Sequence, residues 1–262
     1  MGIFDGILIC SDWDGTLHSA DGVSENNISA IKHFQENGGL FTVCSGRPLP
    51  HLKELFTDLE PNTYTIALNG AVIADHKTDE IIYRKFLDPH ATAILKHVLT
   101  RAPGICKVSV HYENNGTPET VHIFCADEVD AKTAGKSIYK IVFIANNEYD
   151  VSAIKRLANE LDTEGYSLES SWATSAELLA VENTKGVAAL KLKKITGSKT
   201  LITVGDYEND IGMLAAADVS YAVENAIDSV KLHATYTTVS VEDGAIAAII
   251  ADIEHRVLSA KK

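Results

Sequence analysis

The chain is poor in the residues that staple, bend or anchor a fold. Its 262 residues include four cysteines and six prolines. Cys10, Cys44, Cys106 and Cys125 form no C-x-x-C pair and no zinc-ribbon or disulfide spacing, so reduced and mostly buried thiols are expected. Basic residues are scarce as well. The 23 Lys and Arg stand against 36 Asp and Glu, a net charge of −13. That is the wrong sign for a protein that tracks nucleic acid or an anionic membrane, so a phosphate ligand would need local positive charge. Long apolar runs are missing too. The longest, Ala245 to Ala251, falls far short of the roughly 20 residues that cross a bilayer. The first ten residues lack a basic leader region, and a cytoplasmic location is expected. What remains, 45% hydrophobic and 23% charged residues, is an ordinary globular composition. The length suits one large domain or a core domain carrying an insertion.

The N-terminal third alternates short apolar runs with helical patterns: Ile7 to Cys10, Glu25 to Asn37, Leu40 to Cys44, Pro50 to Leu59, Tyr64 to Leu68. Strands alternating with helices predict a parallel sheet, and continuous apolar runs predict strands covered on both faces. From about Phe86 to Val181 the rhythm changes. A helical stretch, three strand-like runs, another helix and two short strands predict an inserted α+β domain with neighbouring antiparallel strands. Alternation resumes after Lys185 with Gly186 to Ile195, Thr200 to Val204, Asp210 to Ala216 and Val219 to Val223, and closes with a helix from Gly244 to about Leu258. The expected organisation is an α/β core formed by residues 1–85 and 182–262, split by a domain at 86–181, with short hinges near Lys85 and Glu182.

Asp12 and Asp14 lie just past the first strand, in Ser11-Asp-Trp-Asp-Gly-Thr16. In extended backbone they point the same way, so they can share a hard cation or act as nucleophile and general acid on one substrate. A calcium loop also begins D-x-D-G, but its glycine position here is Leu17 and its final glutamate position is Val23. A second acidic cluster, Gly205-Asp-Tyr-Glu-Asn-Asp210, follows another apolar strand and opens a helix. If the two strands adjoin, Asp12, Asp14, Asp206 and Asp210 converge into the oxygen-rich environment that Mg²⁺ prefers. Ser45-Gly-Arg47 and Lys185-Gly186 each stand at a strand or loop end before a helix, where backbone amides favour anions.

Together these segments resemble the haloacid dehalogenase superfamily of phosphohydrolases, in the Cof-type branch with a large α/β cap inserted between the second and third motifs. Its four motifs are matched in order by Asp12-Trp-Asp-Gly-Thr16, Ser45-Gly-Arg47, Lys185-Gly186 and Gly205 to Asp210, with Asn69-Gly-Ala71 before the cap. The resemblance covers nearly the whole chain. It implies a Rossmann-like parallel-sheet core with the 86–181 insertion as a cap, and Mg²⁺-dependent hydrolysis of a small phosphorylated metabolite such as a sugar phosphate. Asp12 would attack phosphorus to form an aspartyl-phosphate, while Asp14 would protonate the leaving oxygen and then deprotonate water. The metal ligands would be Asp12, the Asp14 carbonyl and Asp206, with Asp210 behind them. Ser45, the amides of Trp13 and Gly46, Asn69, Lys185 and Asn209 would cradle the phosphoryl group. Thr16 would steady the loop, and Arg47 would brace it or contact substrate. Trp13 departs from the smaller aliphatic residue usual between the two carboxylates.

The implied partners are a small phosphorylated metabolite but neither nucleic acid nor membrane, for a monomer or a homodimer. Two other functions share these features: a phosphohexose mutase, which returns the phosphoryl group to the sugar, and a phospho-ligand-binding protein without turnover. Other signals are weaker. Gly135-Lys-Ser137 lacks the earlier glycine of a P-loop, His111 and His122 could pair on adjacent cap strands but satisfied structural roles are the expectation, and Lys191 to Lys194 suits a solvated helix face. Asn27 and Asn115 begin chance glycosylation triplets. No motif between Phe86 and Val181 reads out a leaving group.

Overall fold

The continuous apolar runs become strands because both of their faces are covered. The computed structural model describes residues 2–102 and 104–259. The chain begins with β1 (Ile7–Ser11), α1 (Glu25–Glu36), β2 (Leu40–Val43) and α2 (Leu49–Leu55). A small antiparallel sheet follows, made of β3 (Thr65–Ala67), β4 (Val72–Ala74) and β5 (Ile81–Arg84). The insertion holds α3 (His90–Arg101), β6 (Ile105–Asn114), β7 (Thr117–Ile123), α4 (Val129–Thr133) and β8 (Ser137–Ala145). It ends with α5 (Glu148–Ala158), β9 (Tyr166–Glu169) and β10 (Ser175–Ala180). The first layer then resumes with α6 (Lys185–Thr196), β11 (Thr200–Gly205), α7 (Ile211–Ala216) and β12 (Val219–Ala222). The last elements are α8 (Asp228–Lys231), β13 (Tyr236–Thr237) and α9 (Ala245–Ser259).

The core sheet has the order β13-β12-β11-β1-β2 and is parallel throughout. Successive side chains of a strand face opposite ways. Ile7 and Ile9 therefore join Ile28, Ile31 and Phe34 of α1 and Ile246, Ile249 and Ile250 of α9, whereas Leu8 and Cys10 pack with Ala188, Ala189 and Leu192 of α6 and Met213 of α7. The chain leaves β1 toward β2 on one side and returns to β11 on the other. This is the strand-order reversal at which open α/β sheets bind ligands, beyond the carboxyl ends of the strands. Side-chain caps fix the helix starts: Ser24 accepts from the Asn27 amide, and Thr184 from that of Val187.

The insertion is a five-stranded antiparallel sheet, order β7-β6-β8-β10-β9. One face packs on α3 and α5 through Val108, Val110, Ile141, Phe143, Ala176 and Leu178. The two chain crossings are tied together. Lys85 pairs with Glu182 at 2.8 Å, and the Asn183 side chain donates to the Lys85 carbonyl at 3.0 Å.

Two sequence expectations change. The run Tyr64 to Leu68 is not a further strand of the parallel sheet. β3 touches β2 through the isolated Cys44–Ile66 bridge and pairs instead with β4, because a tight turn through Leu68 and Asn69, both at positive φ, folds the chain back on itself. Two of the four thiols, Cys106 and Cys125, are exposed. His111 and His122 have the satisfied structural roles expected of them: each takes a neighbouring hydroxyl, Thr120 at 2.9 Å and Ser109 at 3.1 Å. Asn27 is buried, and its oxygen accepts from the Ala247 amide at the start of α9. No helix among the described residues is long and apolar enough to cross a membrane.

Candidate active site

The parallel sheet places three loop segments side by side. β1 pairs with both β2 and β11, so Asp12, Ser45 and Asp206 emerge from adjacent strand ends. α6 begins at Lys185 and directs its ammonium into the same space. Its Nζ lies 2.5 Å from Asp12 Oδ1 and 2.7 Å from Asp210 Oδ1, with all three side chains at least nine-tenths buried. The second Asp210 oxygen accepts from the amides of Asp206 and Tyr207. Asp206 in turn accepts from the Thr16 hydroxyl at 2.8 Å. Gly15, at φ +80°, lets the loop pass so close that a Cβ there would sit 2.6 Å from an Asp206 oxygen.

One ammonium does not balance this cluster. Carboxylate oxygens of Asp12, Asp206 and Asp210 lie within 4.8 Å of one another. Burial pushes Asp206 up to about 6, with the Asp210 charge adding to the rise. Burial also raises Asp12 well above the usual carboxylate range, a rise that Lys185 opposes and the charges of Asp210 and Asp206 reinforce. Three oxygen donors with one cation among them fit a hard divalent ion.

Asp14 is the exception in the loop. Its side chain is 51% exposed, and both oxygens are clamped by Arg47 at 2.7 and 2.8 Å. Trp13 between the two aspartates is buried in the core and stacks on His18. Ser45 is buried and accepts from the Arg47 amide, which leaves its hydroxyl hydrogen free to donate. Asn69 and Asn209 face the insertion. The amide of Asn69 reaches Glu177 at 2.9 Å, and that of Asn209 reaches Ser171 at 3.0 Å, so both bind the insertion.

A cavity of about 370 Å³ lies between sheet and insertion, lined by Asp12, Asp14, Gly46, Arg47, Asp206 and Asn209 from below. Its roof is Ser109, His111, Lys140, Trp172 and Glu177. None of the roof residues belongs to a sequence motif. The readable signal is strand alternation: in Val108-Ser-Val-His111 the valines enter the insertion's core, so Ser109 and His111 must face the other way.

A sequence model of the haloacid dehalogenase-like hydrolases matches residues 9–250. Two Bacillus subtilis proteins named 5-amino-6-(5-phospho-D-ribitylamino)uracil phosphatase are 28% and 24% identical to this chain. The alignments cover 92% and 93% of the chain and 96% of each relative. A haloacid dehalogenase-like hydrolase structure from B. subtilis superposes with a TM-score of 0.80 at 22% identity, covering 93% of this chain and 98% of the other. The subclass IIB sugar phosphatase BT4131 superposes with a TM-score of 0.74 at 17% identity, covering 94% and 98%. These superpositions establish the fold, a parallel-sheet core carrying an inserted α+β domain.

Proposed function

The chain belongs to the haloacid dehalogenase-like hydrolases and is a phosphatase of that type; from this premise we propose that it hydrolyses small sugar or polyol phosphates with Mg²⁺ through an aspartyl-phosphate. The observation that carries the reading is the buried Lys185 bridging Asp12 and Asp210, with Asp206 beside them. We take residues 1–85 and 182–262 as the hydrolase core and 86–181 as the cap.

Asp12, the Asp14 carbonyl and Asp206 would hold Mg²⁺, which when bound neutralises charge on the phosphoryl oxygens. Asp12, fixed by Lys185, attacks phosphorus in line, and the P–O bond to the leaving group breaks as the new one forms. Asp14 delivers a proton to the departing oxygen and later takes one from the water that cleaves the acyl-phosphate. Its clamp by Arg47 must open for either transfer, and an incoming phosphoryl group competes for that guanidinium. Ser45, the amides of Trp13 and Gly46, and Lys185 surround the phosphoryl oxygens. Thr16 and Asp210 hold Asp206 and Lys185 in place.

The test is phosphate release from a panel of phosphate monoesters, with ribitol and hexose phosphates included, with and without Mg²⁺. Release should require Mg²⁺ and fall by more than about 10³-fold in Asp12→Asn. Isomerised sugar phosphate without free phosphate would instead identify a mutase, and no turnover at all a binding protein.

A further inference from the structure

The cap sheet has an unusual lower face. Register places Ser109, Val142, Glu177 and Glu169 in one row across β6, β8, β10 and β9, with His111 and Lys140 in the next. Lys140 and Glu177 are 3% and 1% exposed and form an ion pair at 2.6 Å. The Glu177 oxygen in that pair also accepts from Asn69 of the core at 2.9 Å. The other oxygen, Oε1, is buried with no partner among the described residues. An ionised carboxylate oxygen taken from water and left without a donor is costly, which marks a place where a ligand supplies the missing hydrogen.

The pair stands beside the phosphoryl loop. A Cβ on Gly46 would lie 3.4 Å from Lys140 Nζ and 3.0 Å from Asn69 Oδ1. A group attached to a phosphate held by Ser45 and Gly46 would therefore lie beside Lys140 and Asn69, the two residues that hold Glu177. Charge narrows its chemistry. The cavity lining holds two cations, Arg47 and Lys140, and each already has a carboxylate partner in Asp14 or Glu177. His111 adds no third, because burial, aided by Lys140 and His122, holds its imidazole down at about 3. A second phosphate or carboxylate on the substrate would find no free cation in the roof.

We propose that Glu177, positioned by Lys140 and Asn69, determines specificity by accepting a hydrogen bond from a hydroxyl or N–H of a neutral leaving group. This rests on the phosphatase reading and extends it: the preferred esters carry donors near the ester oxygen and no second anion.

The experiment compares kcat/KM for ribitol 5-phosphate, butyl phosphate and 3-phosphoglycerate. The parent protein should favour ribitol 5-phosphate over butyl phosphate by at least about tenfold, since a site built to bond a hydroxyl rejects the analogue lacking it. Glu177→Gln should reduce that ratio and, by freeing the Lys140 charge, raise 3-phosphoglycerate relative to butyl phosphate by about tenfold. Glu177→Gln leaves an uncompensated buried charge that could unfold the cap, so Lys140→Met with Glu177→Met supplies a second arm. Exchanging a buried ion pair for apolar residues of similar volume is usually tolerated, and the ribitol to butyl ratio should there approach one. Ratios unchanged from the parent in both variants, or butyl and ribitol esters declining in parallel, would assign Glu177 a structural role and overturn the proposal. Absence of Asp12-dependent release from every ester in the parent protein would instead overturn the phosphatase reading, and this inference with it.

Discussion

Glu169 on β9 sits opposite Glu177 in the cap sheet, and one of its oxygens is also buried without a partner. Burial pushes its carboxyl up to about 7, against a weak pull downward from the Ser167 hydroxyl and a further push from Glu177. The sign of the consequence follows from proton counting. Between the ordinary carboxyl range and pH 7 the folded chain keeps a proton that the unfolded chain has released, so stability present at low pH is lost as pH rises through 7. At 1.36 kcal/mol per unit the ceiling is about 3 kcal/mol. Glu169→Gln imitates the protonated carboxyl at every pH. In thermal melts from pH 5 to pH 8, the Tm advantage of the variant over the parent should grow with pH, and a constant offset would remove Glu169 ionisation from the stability of the cap. At this scale the sequence was informative wherever several charged residues had to serve one chemistry. Asp12, Asp14, Asp206 and Lys185 stand in short motifs because each segment turns at a strand end or helix start that the parallel sheet sets beside the others. Glu177 and Lys140 stand alone in their strands, 37 residues apart, and only pairing through the cap sheet makes them a unit.

At the scale of elements, the placement of Lys185 depends on how α6 meets α7. Thr184 caps the helix, and Lys185 is its first residue. A Cβ on Gly186 would lie 2.3 Å from the Gly212 carbonyl and 3.1 Å from the Met213 amide, so the two helices touch through backbone there. Gly186→Val must push α6 away from α7, which carries the ammonium away from Asp12. Overpacking of this kind costs about 1–3 kcal/mol, and urea unfolding should show a lower midpoint together with slower phosphate release. A variant with the parent's midpoint would mean that the backbone absorbs the branch without shifting the helix. Elements were legible where local pattern and tertiary environment agree: β1, β2 and β11 are continuous apolar runs because helices cover both of their faces. The β3-β4-β5 sheet was not, since β3 and β4 have three residues each and the same apolar character as a parallel strand. Its pairing is decided by a turn that Asn69-Gly70 does signal, since both tolerate positive φ, but whose left-handed Leu68 no local pattern announces.

At the scale of the whole molecule, the question is whether the cap is a separate folding unit or a lobe that the core holds in shape. Its apolar cluster runs from Leu87 to Ala180 and takes every buried member from within the insertion. The face it turns to the cavity is mixed, with Ser109, His111, Lys140 and Glu177 beside Val142, Ile144 and Trp172, and its polar members can meet water once the core is gone. The ends of the insertion are close in space, as the Lys85–Glu182 pair and the Asn183 bond to Lys85 require. Chains tolerate insertion of a domain whose termini lie together. Two side chains argue the other way: Tyr139 is buried in the core's cluster, where Phe86 also packs; their rings meet at a tilt with centroids 4.7 Å apart, and Tyr139 donates to Glu113 at 2.8 Å. Excision exposes those two rings against a cluster of about 20 buried residues, so autonomy should win. A fragment of residues 86–181 should unfold in urea as a single cooperative transition, with a stability of about 5 kcal/mol, and Tyr139→Ser should improve its solubility without lowering the midpoint. A fragment with secondary structure but no cooperative transition would show that the core shapes the cap. Changes in the cap would then disturb catalysis through the fold as well as through contact with the leaving group.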